Sequence, residues 1–281
     1  MSAVKLKAFL DGAPAVALVE VAEAKGSTPR EKGAWMLVSP GSIFGTIGGG
    51  QLEYMAIDEA RAMLARTAEG RRGISRQSVT LDIPLGPEIG QCCGGRVEVA
   101  IRPVEKALRG ELMKRAKSED AARPHVYLFG GGHVGHALAA AFALLPVHVV
   151  LIETRADALD GMPDAVETRL MAVPEEAVRE APAGSAFIVL THDHALDFLI
   201  VAEALKREDA AYVGMIGSKT KKATFRSWYL KTAGGTEAAF ARLVSPIGGD
   251  QVKDKRPPVI AAMAVAEIMT ALVAASVAVR A

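Results

Sequence analysis

Cysteine is almost missing from this 281-residue chain: there are two, Cys92 and Cys93, and they are adjacent. A framework of long-range disulfides is therefore excluded, which suits a reducing compartment. An excess of either charge is missing as well. Lys and Arg number 33 against 32 Asp and Glu, a formal net charge of +1, so neither a footprint for phosphate backbones nor a long acidic run is present. Charge alone argues against nucleic acid as a partner. The start carries Lys5 and Lys7 and reaches Asp11 and Gly12 without an apolar run of signal-peptide length, so a mature chain beginning here and staying in the cytoplasm is expected. There is no internal repeat of fixed period and, beyond an alanine bias near the end, no low-complexity tract.

What is present is ample core material. Half the residues are hydrophobic and 23% are charged, a globular composition, and the length points to two domains at roughly 150 residues each. The longest apolar stretch, 259–279, is interrupted only by Glu267, Thr270 and Ser276 and is long enough to cross a bilayer. Alanine dominates it, and a central Glu adds a cost that weakly apolar alanines do not offset. It is expected to be a helix buried in the protein, with Glu267 either on the helix surface, the favoured reading, or a buried acid with a partner, and no membrane is implied.

The first third mixes strands and loops. Apolar runs at 16–23, 35–39 and 43–47 are separated by Gly and Pro, 52–64 has helical spacing, and 75–83 and 96–102 alternate with a period of two. This predicts a small α+β domain over residues 1–104. Residues 105–124 are rich in charge and poor in large apolar side chains, which predicts a solvated helical linker. From 125 the pattern changes to strands at 125–129, 147–153, 186–190 and 212–216 alternating with helices at 133–145, 195–206 and 219–231. Alternation of that kind predicts a parallel sheet with covered faces over 125–281. The fold class expected is thus α/β, a small α+β domain followed by a Rossmann-like one.

Several segments carry chemistry. Gly130-Gly131-Gly132-His133-Val134-Gly135 contains G-x-G-x-x-G directly after a strand and at the start of a helix, and Glu153 ends the next strand. Such a turn lets a phosphate approach backbone N–H groups while the acid reaches a ribose hydroxyl; the same glycines also serve a purely structural turn. Arg155 just beyond favours a 2′-phosphate or another anion instead. Gly90-Gln91-Cys92-Cys93-Gly94-Gly95 frames both thiols with glycine. Neighbouring cysteines close only a strained ring, and two sulfurs do not complete a zinc site, so the choice is between small buried side chains and accessible thiols for a soft metal centre. Flanking glycines favour the second.

Gly45-Thr46-Ile47-Gly48-Gly49-Gly50, with Arg30 in Gly26-Ser27-Thr28-Pro29-Arg30, has the make-up of an anion cradle, although glycines also end hairpins. Thr191-His192-Asp193-His194-Ala195-Leu196-Asp197 follows a strand at the sheet edge where ligands bind, so His192 and His194 are candidates, with a helix cap as the plain alternative. Gly214-Met215-Ile216-Gly217-Ser218-Lys219 has the wrong spacing for a triphosphate loop, which disfavours a GTPase or ATPase and leaves Lys219 as an anion contact.

Taken together and in order, the segments at 26–30, 45–50, 90–95, 191–197, 212–219 and Ser-Pro-Ile-Gly-Gly-Asp at 245–250 resemble the XdhC family, accessory proteins of xanthine dehydrogenase related to the CoxI maturation factors. The resemblance implies a small N-terminal domain joined to a Rossmann-like one. It also implies binding of the molybdenum cofactor (molybdopterin), protection of that cofactor during sulfuration, and insertion into apo-xanthine dehydrogenase. Gln91, Cys92 and Cys93 would contact the cofactor, with either thiol a ligand of its molybdenum. A cofactor chaperone of this kind would not turn over a substrate and has no catalytic residues. Its further partners would be a cysteine desulfurase, a cofactor-biosynthesis protein and a second copy of itself. A nucleotide in the Rossmann half remains an additional expectation, and an NAD(P)-dependent oxidoreductase is the alternative reading.

Overall fold

The computed structural model describes residues 2–68, 78–87 and 94–280, and the chain divides into two compact units, Met1–Ala122 and Arg123–Ala281. The first unit is built on an antiparallel sheet. Its strands are β1 (Ala17–Lys25), β2 (Trp35–Val38), β3 (Ile43–Gly45), β4 (Val79–Pro84) and β5 (Arg96–Pro103), in the spatial order β3-β2-β1-β5-β4. Its helices are α1 (Ala3–Gly12), α2 (Gly50–Ala68) and α3 (Lys106–Ala121). Alternation along the strands sorts the core. Ala17, Val19, Val21, Val97, Val99 and Ile101 point to α2, where Leu52, Ala56, Ala60 and Met63 meet them, whereas Leu18, Trp35 and Leu37 point to the opposite face, against Leu6 and Leu10 of α1 and Leu112 and Ala116 of α3.

The expected linker at 105–124 is corrected by this packing. Most of α3 is indeed charged, but Leu112 and Ala116 form a one-turn apolar stripe, flanked by Leu108 and Met113, that is buried in the first unit. Two cross-helix bonds add to it: Ala3 N–H donates to Asp120 (2.7 Å) and Arg109 donates to the Leu10 carbonyl (2.9 Å). The boundary therefore falls after α3, at 122/123.

The second unit is a doubly wound α/β fold. Its parallel strands are β6 (His125–Phe129), β7 (His148–Glu153), β8 (Val166–Leu170), β9 (Ala186–Val189), β10 (Tyr212–Met215) and β11 (Leu243–Val244). They run in the order β11-β10-β9-β6-β7-β8, and every recorded pairing is parallel. Numbered within the unit this is 3-2-1-4-5-6, the Rossmann order, with its topological switch between β6 and β9. Helices α4 (His133–Phe142) and α9 (Pro257–Arg280) cover one face, and α5 (Glu175–Glu180), α6 (His194–Lys206) and α7 (Lys219–Lys231) the other. A short α8 (Glu237–Phe240) follows α7.

Sequence patterning missed β8 because only Val166 of that edge strand is buried, and β11 because it is two residues long. The apolar stretch near the end is α9. Its segment Pro257–Val277 is long and apolar enough to cross a membrane by length and composition, yet Ala261, Ala264, Ile268 and Leu272 are buried in the core of this unit at helical spacing. Glu267 departs from the expectation of a surface acid: it is half-buried and accepts a hydrogen bond from the Tyr212 hydroxyl of β10. Burial, followed by that bond, pushes the phenol far above its ordinary range.

Candidate functional site

In the first unit the fold gathers three of the motif segments. A Cβ on Gly95 would lie 2.2 Å from the Ser27 carbonyl oxygen, and one on Gly48 would lie 2.6 Å from Pro29 Cβ, so 26–30 touches both 45–50 and the glycines at 94–95. Only glycine permits those approaches. Leu85 N–H donates to the Gly95 carbonyl (2.8 Å) and Gly94 N–H to the Leu85 carbonyl (2.9 Å), pairing the described residues on either side of the thiol segment. Gln91, Cys92 and Cys93 themselves lie outside the described residues.

The glycine loop is not an open anion cradle. Glu53, from the first turn of α2, reaches back and accepts hydrogen bonds from Ile47 N–H (3.0 Å), Gly49 N–H (3.1 Å) and the Thr46 hydroxyl (2.5 Å). The backbone donors expected to meet a ligand, Gly49 included, are thus satisfied by the protein's own carboxylate. Arg30 is left beside this loop, exposed and unpaired among the described residues.

The second unit has a cavity of ≈ 380 Å³ at the carboxyl edge of its sheet, lined by Gly130, Gly132, His133, Val134, Glu153, Arg155, Leu190, Thr191, His192, Ile216 and Pro257. The glycines around it divide by role. A Cβ on Gly130 would lie 2.6 Å from the Leu190 carbonyl oxygen, and one on Gly135 would lie 2.1 Å from the Gly130 carbonyl oxygen, so the turn and the helix-to-strand packing require both. Gly132 is different: its φ is −74° and a Cβ there would meet nothing within 4 Å.

Glu153 is 5% exposed and its oxygens are already engaged. One accepts from Gly131 N–H (2.9 Å) and Arg155 Nη2 (3.1 Å), the other from Thr154 N–H (2.8 Å) and its hydroxyl (3.2 Å). Burial raises the carboxyl's pKa, but the bonds from Arg155, Gly131 and Thr154 outweigh it and hold the group at about 2. The acid expected to reach a ribose instead fastens its own glycine turn.

His133 and His192 line the cavity, whereas His194, the first residue of α6, and Lys219, exposed at the start of α7, do not. Asp193 caps α6 by accepting from Ala195 N–H (2.8 Å), the plain alternative for that segment. Sequence reasoning missed Lys221, two residues past Lys219. It forms an ion pair with Asp197, which is fully buried and also accepts from Thr191 N–H (3.0 Å) and the Thr191 hydroxyl (2.7 Å). A lysine 24 positions from Asp197 gives no local signal. Among the described residues no group of three or more His, Cys, Asp or Glu side chains is placed to hold a metal ion.

Comparison with known proteins follows the same division. Residues 126–268 match the XdhC Rossmann domain and residues 10–74 match the XdhC and CoxI family. The uncharacterized protein YqeB of Escherichia coli (strain K12) is 28% identical over 264 residues, which is 90% of this chain but 43% of that protein, so the chain spans less than half of this relative. Among solved structures, a xanthine dehydrogenase from Bacillus halodurans superposes with a TM-score of 0.78 at 18% identity, covering 98% of this chain and 96% of that one. That likeness shows a shared fold. Since the two family matches fall on the two units in order, the first on the motif-bearing unit and the second on more than half of the whole chain, the chain belongs to the XdhC family.

Proposed function

We propose that this chain serves the maturation of xanthine dehydrogenase in the cytoplasm by binding the molybdenum cofactor, sheltering it during sulfuration and passing it to the apo-enzyme. The observation that supports the reading is the convergence in the first unit of 26–30, 45–50 and 94–95, the last directly after Cys92 and Cys93 in sequence, with Arg30, unpaired among the described residues, beside Gly48. The donor set fits the cofactor in part. When bound, the cofactor supplies a dithiolene-held molybdenum and an anionic phosphate. Arg30 offers the phosphate a planar pair of donors, and Cys92 or Cys93, deprotonated, offers the metal a soft ligand. The glycine loop would not take the phosphate through Ile47 or Gly49, whose N–H groups Glu53 holds. Its part is to keep 45–50 flat against Pro29 and leave room above.

The partners under this reading are xanthine dehydrogenase as client, a cysteine desulfurase as sulfur source, and a cofactor-biosynthesis protein as supplier. The test is to purify the chain from molybdenum-replete cells and measure pterin fluorescence and molybdenum per chain, then add it to apo-xanthine dehydrogenase. Activation should be proportional to the loaded chain supplied and then stop. The Cys92→Ala/Cys93→Ala double variant should fold normally and lose most bound cofactor, and Arg30→Ala should weaken retention about tenfold, the loss of one charge-assisted pair. Full retention by the double variant, or sustained nicotinamide turnover without a client, would overturn the reading.

A further inference from the structure

The Rossmann crevice lies in the second unit and plays no part in the reading above. Its chemistry can be taken from what the protein does and does not use for itself. Gly130 and Gly135 are glycine for intramolecular reasons. Gly132 is not: its backbone is in a region any residue adopts, a side chain there would meet no atom of the chain, and the position opens on the cavity. The bare backbone there leaves space for a group that enters the cavity. At the start of a ten-residue helix whose first N–H groups have no helical acceptor, that group is an anion.

The other end of the crevice says which anion-bearing molecule. In doubly wound folds the ribose of a bound nucleotide lies at the tip of the second strand, where an acid accepts its two hydroxyls. Here that acid is Glu153 at the tip of β7, and both its oxygens already accept from Gly131, Thr154 and Arg155. It therefore has little capacity left for hydroxyl donors. Beside it Arg155 lines the same cavity with its side chain 44% exposed and its Nη1 donors uncommitted among the described residues. Glu153 is the one acid in the lining, and its charge is matched by Arg155, while His133 and His192 complete the rim. The ionised Glu153 is the one member of that set that opposes a phosphate, its charge offset by Arg155, whose uncommitted Nη1 is suited to grip it.

We propose that the crevice of the second unit binds a nucleotide of the 2′-phosphorylated class, the NADP type rather than the NAD type, with its diphosphate against Gly132 and His133 and its ribose phosphate on Arg155. A volume of ≈ 380 Å³ accommodates the adenosine-phosphate part and leaves the remainder to extend from the mouth. Glu153 is a positioning residue in this arrangement, fixing the turn through Gly131 and orienting the guanidinium.

The experiment is calorimetric titration of the full chain, purified from cells unable to make molybdenum cofactor, with NADPH, NADH, 2′-phospho-ADP-ribose, ADP-ribose and pyrophosphate. NADPH should bind at least about tenfold tighter than NADH, the scale of one charge-assisted contact, with the two ADP-ribose forms showing the same ratio. Arg155→Gln should remove the preference and raise affinity for NADH, because it frees Glu153 oxygens for ribose hydroxyls. Gly132→Val should abolish binding of every probe while its circular dichroism and melting stay as in the parent. Equal or tighter binding of NADH by the parent, or no nucleotide binding at all, overturns the proposal. So does binding of pyrophosphate without any of the nucleotides, since it would make the crevice a site for a bare phosphate group. The Cys92→Ala/Cys93→Ala variant must bind NADPH as the parent does, so the outcome here is separate from that of the cofactor-delivery reading.

Discussion

Two charged side chains in the second unit show how strongly single residues are tied into it. Asp197 is fully buried and Lys221 nearly so, and their ion pair joins the start of α6 to the first turns of α7. Removing one member strands the other in a low-dielectric interior, which typically costs about 3–5 kcal/mol. We expect Asp197→Ala to lower unfolding free energy by that order in urea titration, and Lys221→Met added to it to recover most of the loss. Glu153 gives a pH signature. Its folded carboxyl titrates at about 2 against an ordinary 4.5, so its stabilisation is complete above the ordinary value and fades as pH falls from about 4.5 towards 2. The stability difference between the parent and Glu153→Gln should be on the order of 2–3 kcal/mol at pH 7 and shrink through that window. Glu153 could be picked out from the sequence by its place at the end of a strand. What it does could not, because its partners Gly131 and Arg155 become partners only once the strand and the glycine turn are side by side. Glu53 is hidden in the same way: it lies three residues beyond the glycine motif whose donors it satisfies.

At the scale of elements, the strands and helices that read clearly were those with both a strong period and a buried face. β6, β7, β9 and β10 are nearly all buried and appear in the sequence as apolar runs. α3 misleads because a stripe of two core residues, Leu112 and Ala116, is enough to dock a helix whose remaining surface is charged. Leu112→Ala should therefore destabilise the first unit by about 2–5 kcal/mol in denaturant titration, as a buried leucine does, where a leucine on a solvated linker would change stability by less than about 0.5 kcal/mol. In α9 the contrast lies within one helix. Ile268 is fully buried and Val273 is 56% exposed, so Ile268→Ala should lower the melting temperature clearly and Val273→Ala hardly at all.

For the whole molecule, the division into units is also a division of the core. Among the described residues the buried clusters each belong to one unit, two in Met1–Ala122 and two in Arg123–Ala281. A unit that owns its core has what it needs to fold alone. Residues 123–281 produced by themselves should melt in a single cooperative transition seen by far-UV and near-UV circular dichroism; a molten profile would show that this unit draws stability from the other. The near balance of charge, +1 over 281 residues, has its own consequence. Under the proposed delivery role, contact with a client would not be steered by one large field, so transfer should slow little between low and moderate salt.

The carboxylate of Glu53 sits where a loop of this make-up would otherwise hold a phosphate or sulfate. The turn at 45–50 is in effect a receptor carrying its own built-in occupant, which freezes its shape before anything arrives and closes it to stray anions. Replacing that occupant should reawaken the receptor: Glu53→Ala is expected to melt lower than the parent and to regain part of the loss when inorganic phosphate is added, a response the parent lacks.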